Sequence, residues 1–221
     1  MDTDWCLDEV LDGALSLLRE RYLPCTVFAT GPYAALQRHD PARLEIGLHP
    51  NFTNTTSENY EARLRELCAL YPHANGIACH TMMSSNPLLA LFKNYGFIYD
   101  RNLLRYKDAH AEPFQHHNGL VRLPVFWEDD IWFSVVPGAP FSAELLRPER
   151  FHYIFNFHPI HLHLNTMSQA HYLAFKPVQH ELEKLALHAG RGYGVRSFFM
   201  DLVDHVQKQG IATELLGSMF R

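Results

Sequence analysis

The chain has 221 residues, of which 47% are hydrophobic and 19% are charged, with a net charge of −5. This length supports one sizeable core, so we expect a single domain over residues 1–221. The acidic balance argues against nucleic-acid binding, because phosphate backbones attract basic surfaces. No apolar run approaches the roughly 20 residues that span a membrane. The start Met1–Asp4 lacks the features of a secretory signal, so we expect a cytoplasmic location.

Helical and strand patterns alternate along the chain, which is typical of α/β folds with a parallel sheet or barrel. We expect a hairpin within the aromatic-rich stretch His110–Ala143, and an N-cap at Ser57. The predicted helices are Asp8–Tyr22, Asn59–Tyr71, one that opens at Asn86-Pro87 and stops at Gly96, Val178–Ala189 and Val195–Gln209. The predicted strands are Cys25–Thr30, Leu44–His49, Gly76–His80, Phe97–Asp100, Leu120–Trp127 and Tyr153–His158.

Cysteine and histidine usage bears on possible chemistry. The four cysteines form no C-x-x-C pair, which is typical of reduced thiols rather than of a disulfide framework. There are 15 histidines against 19 lysines plus arginines. Histidine is the commonest metal ligand and a frequent acid or base, so this enrichment favours a metal site.

Acidic or histidine side chains stand where five of the expected strands end. These residues are Asp2 with Asp4, His49, His80, Asp100 and His158. In a βα barrel the active site lies at the carboxyl ends of the strands. Each of these side chains alone has an ordinary explanation as a capped or partly solvated residue, but five together are harder to explain by packing.

Five of these residues match the needs of a metal-dependent hydrolase. A catalytic divalent metal takes about three protein ligands and keeps one position open. One carboxylate and two imidazoles supply such a set, and a further carboxylate and histidine can act as base and acid. The residues that would fill these roles are Asp2, Asp4, His49, His80 and His158.

The motifs resemble those of polysaccharide deacetylases of the NodB-like kind, and are closest to the WbmS-like branch. Asp2–Trp5 resembles the first motif of the family, and Glu45–His49 resembles the second. The segments that resemble the WbmS-like branch are His49–Phe52, Leu123–Asp130 and Asn156–His161. The resemblance implies a distorted, incomplete (β/α) barrel that removes an acetyl or formyl group from an amino sugar, usually with zinc, in the synthesis of surface polysaccharides.

The resemblance also implies roles for individual residues. Asp2 is the base, Asp4 and His49 bind the metal, and His158 protonates the leaving amine. Asp130, or its neighbour Asp129, orients His158. An aromatic residue of the same motif, here Trp127–Asp130, lines the substrate groove in the family. The alternative for this segment is a turn with a solvated acidic tip.

Three departures from the family pattern leave alternatives open. Thr53 stands where the second motif has another histidine, so His80 or Asn51 is the third ligand, and we favour His80. Ala78 stands where an arginine that tethers the base is expected, and Arg122 or Arg101 could replace it. Only Met1 precedes Asp2, so the first strand is expected to be truncated, which could leave both aspartates badly positioned.

Two other functions remain as alternatives at this point. One is another metal hydrolase on a similar barrel, acting on a phosphoester or a cyclic amide, although such enzymes often use two metals. The other is a non-catalytic sugar-binding or scaffold protein, which Thr53, Ala78 and the short amino terminus favour. A fold alone does not exclude it. Metal content and acetate release would distinguish the three.

Overall fold

The architecture is mixed α/β with mainly parallel strands. The computed structural model describes residues 1–38, 40–108, 110–146 and 152–220. The strands are β1 (Cys25–Ala29), β2 (Leu44–Leu48), β3 (Gly76–Ile77), β4 (Tyr99–Asp100), β5 (Phe114–Gln115), β6 (Val121–Arg122), β7 (Trp127–Glu128) and β8 (Phe155–Asn156). Six of them form one sheet in the order β1-β2-β3-β4-β6-β5, in which only β5 with β6 is antiparallel. Strands β7 and β8 form a separate parallel pair.

Helices connect and cover the strands. They are α1 (Asp8–Glu20), α2 (Ala34–Gln37), α3 (Tyr60–Leu70), α4 (Asn86–Asn94), α5 (Asp129–Val135), α6 (Pro159–Leu164), α7 (Gln169–Phe175), α8 (Leu182–Leu185) and α9 (Val195–Lys208). Short 3₁₀ turns cover Ser57–Asn59, His80–Met82, Ala143–Leu145, Lys176–Val178, Ala186–His188 and Leu216–Phe220. None of the helices within the described ranges is long and apolar enough to cross a membrane.

The long helices were predicted correctly because their apolar residues recur at helical spacing. In α1 the buried side chains are Val10, Leu11, Ala14, Leu15 and Leu18. Helix α4 begins as expected, with Pro87 in its first turn and the Ser85 hydroxyl accepting from Leu88 N at 3.4 Å. The predicted N-cap at Ser57 is wrong, because a 3₁₀ turn starts there and the residue before α3 is Asn59, whose side chain makes no cap.

Three further regions differ from the sequence prediction or complete it. The hairpin expected within 110–143 is β5–β6, but α5 follows it without having been predicted. Residues 178–189, predicted as one helix, break into short pieces because Glu181 takes an extended backbone conformation. The segment after His158 forms α6, with Pro159 at its first position, where proline favours a helix start.

The amino terminus lies between β1 and the end of β8. Phe28 N donates to Met1 O at 2.8 Å, and Thr3 N donates to Phe28 O at 3.2 Å. On the other side, Asp2 N donates to Phe157 O at 3.2 Å. A very short first strand therefore pairs on both sides, so that Asp2 reaches the carboxyl end of the sheet together with the other strand ends.

Apolar side chains from successive strands pack against one another on the inner face of the sheet. This cluster comprises Phe28, Ala78, Tyr99, Leu123, Val125 and Ile154. The carboxyl ends of β1, β2, β4 and β8 lie above it and carry polar side chains. The sheet therefore brings polar side chains from distant parts of the chain close together.

Candidate active site

Three predicted residues form a group that could hold a metal ion. One oxygen of Asp4, Oδ1, lies 2.9 Å from His49 Nε2 and 3.2 Å from His80 Nδ1. The ligand atoms of the three residues all lie within 4.8 Å of one another. Ligand atoms of a tetrahedral zinc bound at about 2.0–2.1 Å lie roughly 3.3 Å apart. The spacing and the donor set of one carboxylate and two imidazoles therefore fit a divalent metal.

Asn51, the alternative candidate for the third metal ligand, makes local hydrogen bonds instead. Its Oδ1 accepts from Thr53 N at 2.9 Å and from Thr53 Oγ1 at 2.7 Å. The side chain thus closes a local turn. His80 instead follows β3 in a 3₁₀ turn that directs its ring to Asp4. The geometry favours His80 over Asn51.

Asp2 is buried and held by two side chains. It is 4% exposed, and Arg101 donates from Nη2 to its Oδ1 while Asn156 donates from Nδ2 to its Oδ2 at 2.9 Å. Burial alone would raise the pKa of Asp2, but the Arg101 guanidinium, helped by His49, outweighs it and holds the pKa well below its usual value. Asp2 is therefore firmly held, although the first strand is very short.

The sequence leaves open whether Arg101 or Arg122 tethers Asp2, and in the structure these two arginines have different partners. Arg101 follows β4 and donates to Asp2, which is the contact expected of the arginine that Ala78 replaces. Arg122 on β6 instead donates from Nε to Asp100 Oδ1 at 3.0 Å. Only Arg101 can act as the tether of Asp2.

His158 lies between two carboxylates. Its Nδ1 is 2.6 Å from Asp129 Oδ1, and its Nε2 is 3.2 Å from Asp4 Oδ2. Burial alone would lower the pKa of His158, but these two carboxylates outweigh it and raise the pKa well above its usual value. These contacts place His158 next to the group formed by Asp4, His49 and His80.

Asp129, not Asp130, orients His158. Asp129 is fully buried at the start of α5, and its second oxygen also accepts from His158 N at 2.7 Å. Asp130, our first choice from the sequence, makes no such contact, and its Oδ1 is buried without a hydrogen-bond partner in the described part of the chain. Adjacent residues at a helix start point in different directions, so only one of the two can face His158. The alternative of a solvated acidic tip is also wrong, since Glu128 and Asp129 are both buried.

Comparisons with known proteins show the family of the chain. The family model of WbmS-like polysaccharide deacetylases matches residues 1–176. The chain belongs to this deacetylase family. A crystal structure from Bordetella bronchiseptica, assigned as a polysaccharide deacetylase involved in O-antigen biosynthesis, is 27% identical with a TM-score of 0.85. The match covers 92% of this chain and 88% of that one.

Other comparisons add little to this membership of the deacetylase family. A polysaccharide deacetylase structure from Mycobacterium smegmatis is 17% identical with a TM-score of 0.47, covering 95% of this chain and 80% of that one. A search of curated proteins gives no match.

Two buried residues of the candidate site, Asn156 and Glu128, lie in segments that resemble the family but were given no role from the sequence. Asn156 is fully buried, and besides its bond to Asp2 its Nδ2 donates to Glu128 Oε1 at 2.7 Å. Burial, followed by repulsion from Asp130, raises the pKa of Glu128 to about 8. The available signal was the unusual asparagine inside the apolar run Tyr153–Phe157, since buried amides need partners.

The aromatic residue at the opening is also not the one expected. Trp127 is completely buried and stacks on Phe198, with ring centroids 4.4 Å apart, so it cannot line a groove. Trp5 is half-buried instead, and its ring centroid lies 4.9 Å from that of His80.

Proposed function

We propose that this deacetylase is a metal-dependent hydrolase that removes an acetyl or formyl group from an amino sugar. It uses one divalent metal ion, and the donor set of one carboxylate and two imidazoles favours zinc. The main observation in support is that three histidine side chains contact the carboxylate of Asp4. One oxygen of Asp4 faces His49 and His80, and the other faces His158. A metal-binding group and a proton donor thus lie side by side.

Each residue then has a distinct task in amide hydrolysis. A divalent metal held by Asp4, His49 and His80 would polarise the carbonyl and stabilise negative charge on its oxygen. Asp2 accepts a proton from the attacking water, whose oxygen bonds to the carbonyl carbon. His158 donates its proton to the nitrogen as the carbon–nitrogen bond breaks. The products are a carboxylate and the free amine of the sugar.

The buried partners of Asp2 and His158 support these tasks by fixing their geometry. Arg101 and Asn156 leave Asp2 charged and immobile. Asp129 accepts from Nδ1 of His158, so that Nε2 is the nitrogen that carries the transferable proton toward the site. Such orientation by a carboxylate is how histidines in many hydrolases keep the right tautomer.

We further propose that residues 1–221 form one domain built as a distorted, incomplete (β/α) barrel. Hydrogen bonds run from β1 through Met1–Thr3 to Phe157, and Val125 N donates to Leu103 O at 2.8 Å beside the β7–β8 pair. These pairings support strands that curve around the inner apolar cluster. A cytoplasmic location and a part in surface-polysaccharide synthesis belong to the same proposal, so we expect a small sugar precursor as substrate.

The test is release of acetate and free amine from free and nucleotide-linked N-acetylhexosamines, with N-formyl analogues in parallel. Asp129→Asn should lower turnover strongly, because it removes the charge that holds the His158 proton. Asp130→Asn, the adjacent and chemically matched change, should have a much smaller effect. Equal losses in the two variants would contradict the assignment, and no release from any sugar would favour a non-catalytic sugar-binding protein.

A further inference from the structure

Trp5 takes a backbone conformation that a bulky residue adopts only at a cost. Its φ is 54°, and that of the preceding Asp4 is 38°, so two consecutive residues lie in the left-handed region. Non-glycine residues are uncommon there, because the side chain approaches the following carbonyl oxygen. Glycine would take this conformation freely. Strain of this kind is often found where a side chain serves a site.

The strained conformation places the indole beside the metal-binding group. Trp5 directly follows the ligand Asp4, and its ring meets that of His80 edge-to-face at an interplanar angle of 75°. Its backbone N donates to Thr30 Oγ1 at 3.3 Å, which fixes the turn. The residue is only half-buried, so it keeps solvent-accessible surface beside the metal-binding group.

The other two tryptophans cannot take this position. Trp127 is 0% exposed and Trp132 is 1% exposed, and both contact Phe198 in the core. Trp5 is thus the one tryptophan that a molecule in the opening can touch.

We infer that Trp5 is the platform on which the pyranose ring of the substrate stacks while its acyl group faces Asp4. This inference rests on the proposed deacetylation of amino sugars and names the residue that binds the sugar ring. One face of a pyranose carries mainly C–H groups, and an indole offers a large, rigid apolar surface with little conformational entropy to lose. A ring held next to Asp4 places the substituent of its amino group within reach of the metal-binding residues.

The kinetic test separates stacking from catalysis. On the N-acetylhexosamine that the wild type hydrolyses fastest, Trp5→Ala should raise KM about tenfold with kcat within about twofold, because an apolar contact is lost equally in the bound and transition states. Trp5→Phe should recover part of the loss. Tyr22→Ala is the matched control: Tyr22 is 75% exposed and makes a cation–π contact with Arg43, and KM should not change.

A stability measurement separates binding from a purely structural role. Trp5→Gly removes the left-handed strain, so its urea midpoint should equal or exceed that of the wild type while KM rises as for Trp5→Ala. A structural role predicts the opposite: a lower midpoint and reduced metal content, because His80 would lose its packing partner. A lower midpoint in Trp5→Gly together with an unchanged KM would overturn the inference.

Fluorescence offers a readout that needs no turnover. Acrylamide should quench Trp5 preferentially, since the other two tryptophans are buried, and saturating product amine should protect it. Absence of protection, with hydrolysis intact, would overturn the stacking inference alone. If no N-acetylhexosamine is hydrolysed, the proposed function fails and the stacking inference fails with it.

Discussion

The pairing of Arg101 with Asp2 can be tested through folding stability. Both side chains are nearly inaccessible, at 2% and 4% exposure. Arg101→Met keeps much of the apolar volume over the Phe28 ring, which the guanidinium carbon approaches to 4.8 Å. It leaves the carboxylate buried with the Asn156 amide as its remaining hydrogen-bond donor.

The expected loss follows from the cost of an unpaired buried charge. Removing one partner of a buried pair costs about 3–5 kcal/mol, and the remaining bond from Asn156 favours the lower end, about 3 kcal/mol. The assay is urea unfolding of chelator-treated protein, in which no bound cation can compensate for the carboxylate. Adding Asp2→Asn to Arg101→Met removes the charge, so the double variant should be more stable than Arg101→Met alone.

A second buried pair provides the control. Arg122 donates to Asp100, which is fully buried, and Arg122→Met should also destabilise the protein. Asp2→Asn should not restore stability there, because Arg122 does not contact Asp2. If Asp2→Asn rescued both arginine variants equally, or neither, the reasoning that Arg101 compensates the Asp2 charge would be refuted.

Three further predictions concern histidines. His80→Ala should weaken metal binding far more than Asn51→Ala, because the Asn51 side chain closes a local turn and His80 faces Asp4. Equal losses of metal, measured by elemental analysis, would contradict the ligand assignment. His158→Ala should lower turnover about 10²–10⁴-fold with metal content nearly unchanged, and loss of metal would show it to be a ligand. Burial lowers the pKa of His161 to about 4 in the folded protein. Between pH 6.5 and pH 4 this histidine is therefore protonated in the unfolded chain but not in the folded one, so the free energy of unfolding falls as the pH drops through this range. His161→Asn should remove a pH-dependent loss of up to about 3 kcal/mol in this range, and an unchanged pH profile of unfolding would refute the burial argument.

Much of the site followed from the sequence because it depends on where strands end. The polar residues His49, His80 and His158 follow apolar runs, and parallel strands bring their carboxyl ends together regardless of the connecting segments. The donor types were therefore enough to predict a metal-binding group with Asp4. The family match over residues 1–176 confirms the resemblance to WbmS-like deacetylases, while the metal-binding role of these residues stays a prediction.

The remaining details of the site depend on the directions of side chains and on contacts between distant segments. A sequence pattern does not predict either of these. Asp129 and Asp130 are adjacent and chemically identical, and only the start of α5 decides which of them faces His158. Arg101 directly follows β4 and Arg122 lies on β6, and only the pairing of β4 with β6, which sets Arg122 beside Asp100, separates their roles. Trp127 fits a groove motif, but packing against α9 buries it.

The most direct test of the account is a zinc titration of chelator-treated protein during hydrolysis of an N-acetylhexosamine. The account predicts that acetate and free amine appear in equal amounts, and that activity rises linearly until one zinc per chain and then stays constant. Activity that persists without metal, or that requires a second equivalent, would contradict a single metal held by Asp4, His49 and His80.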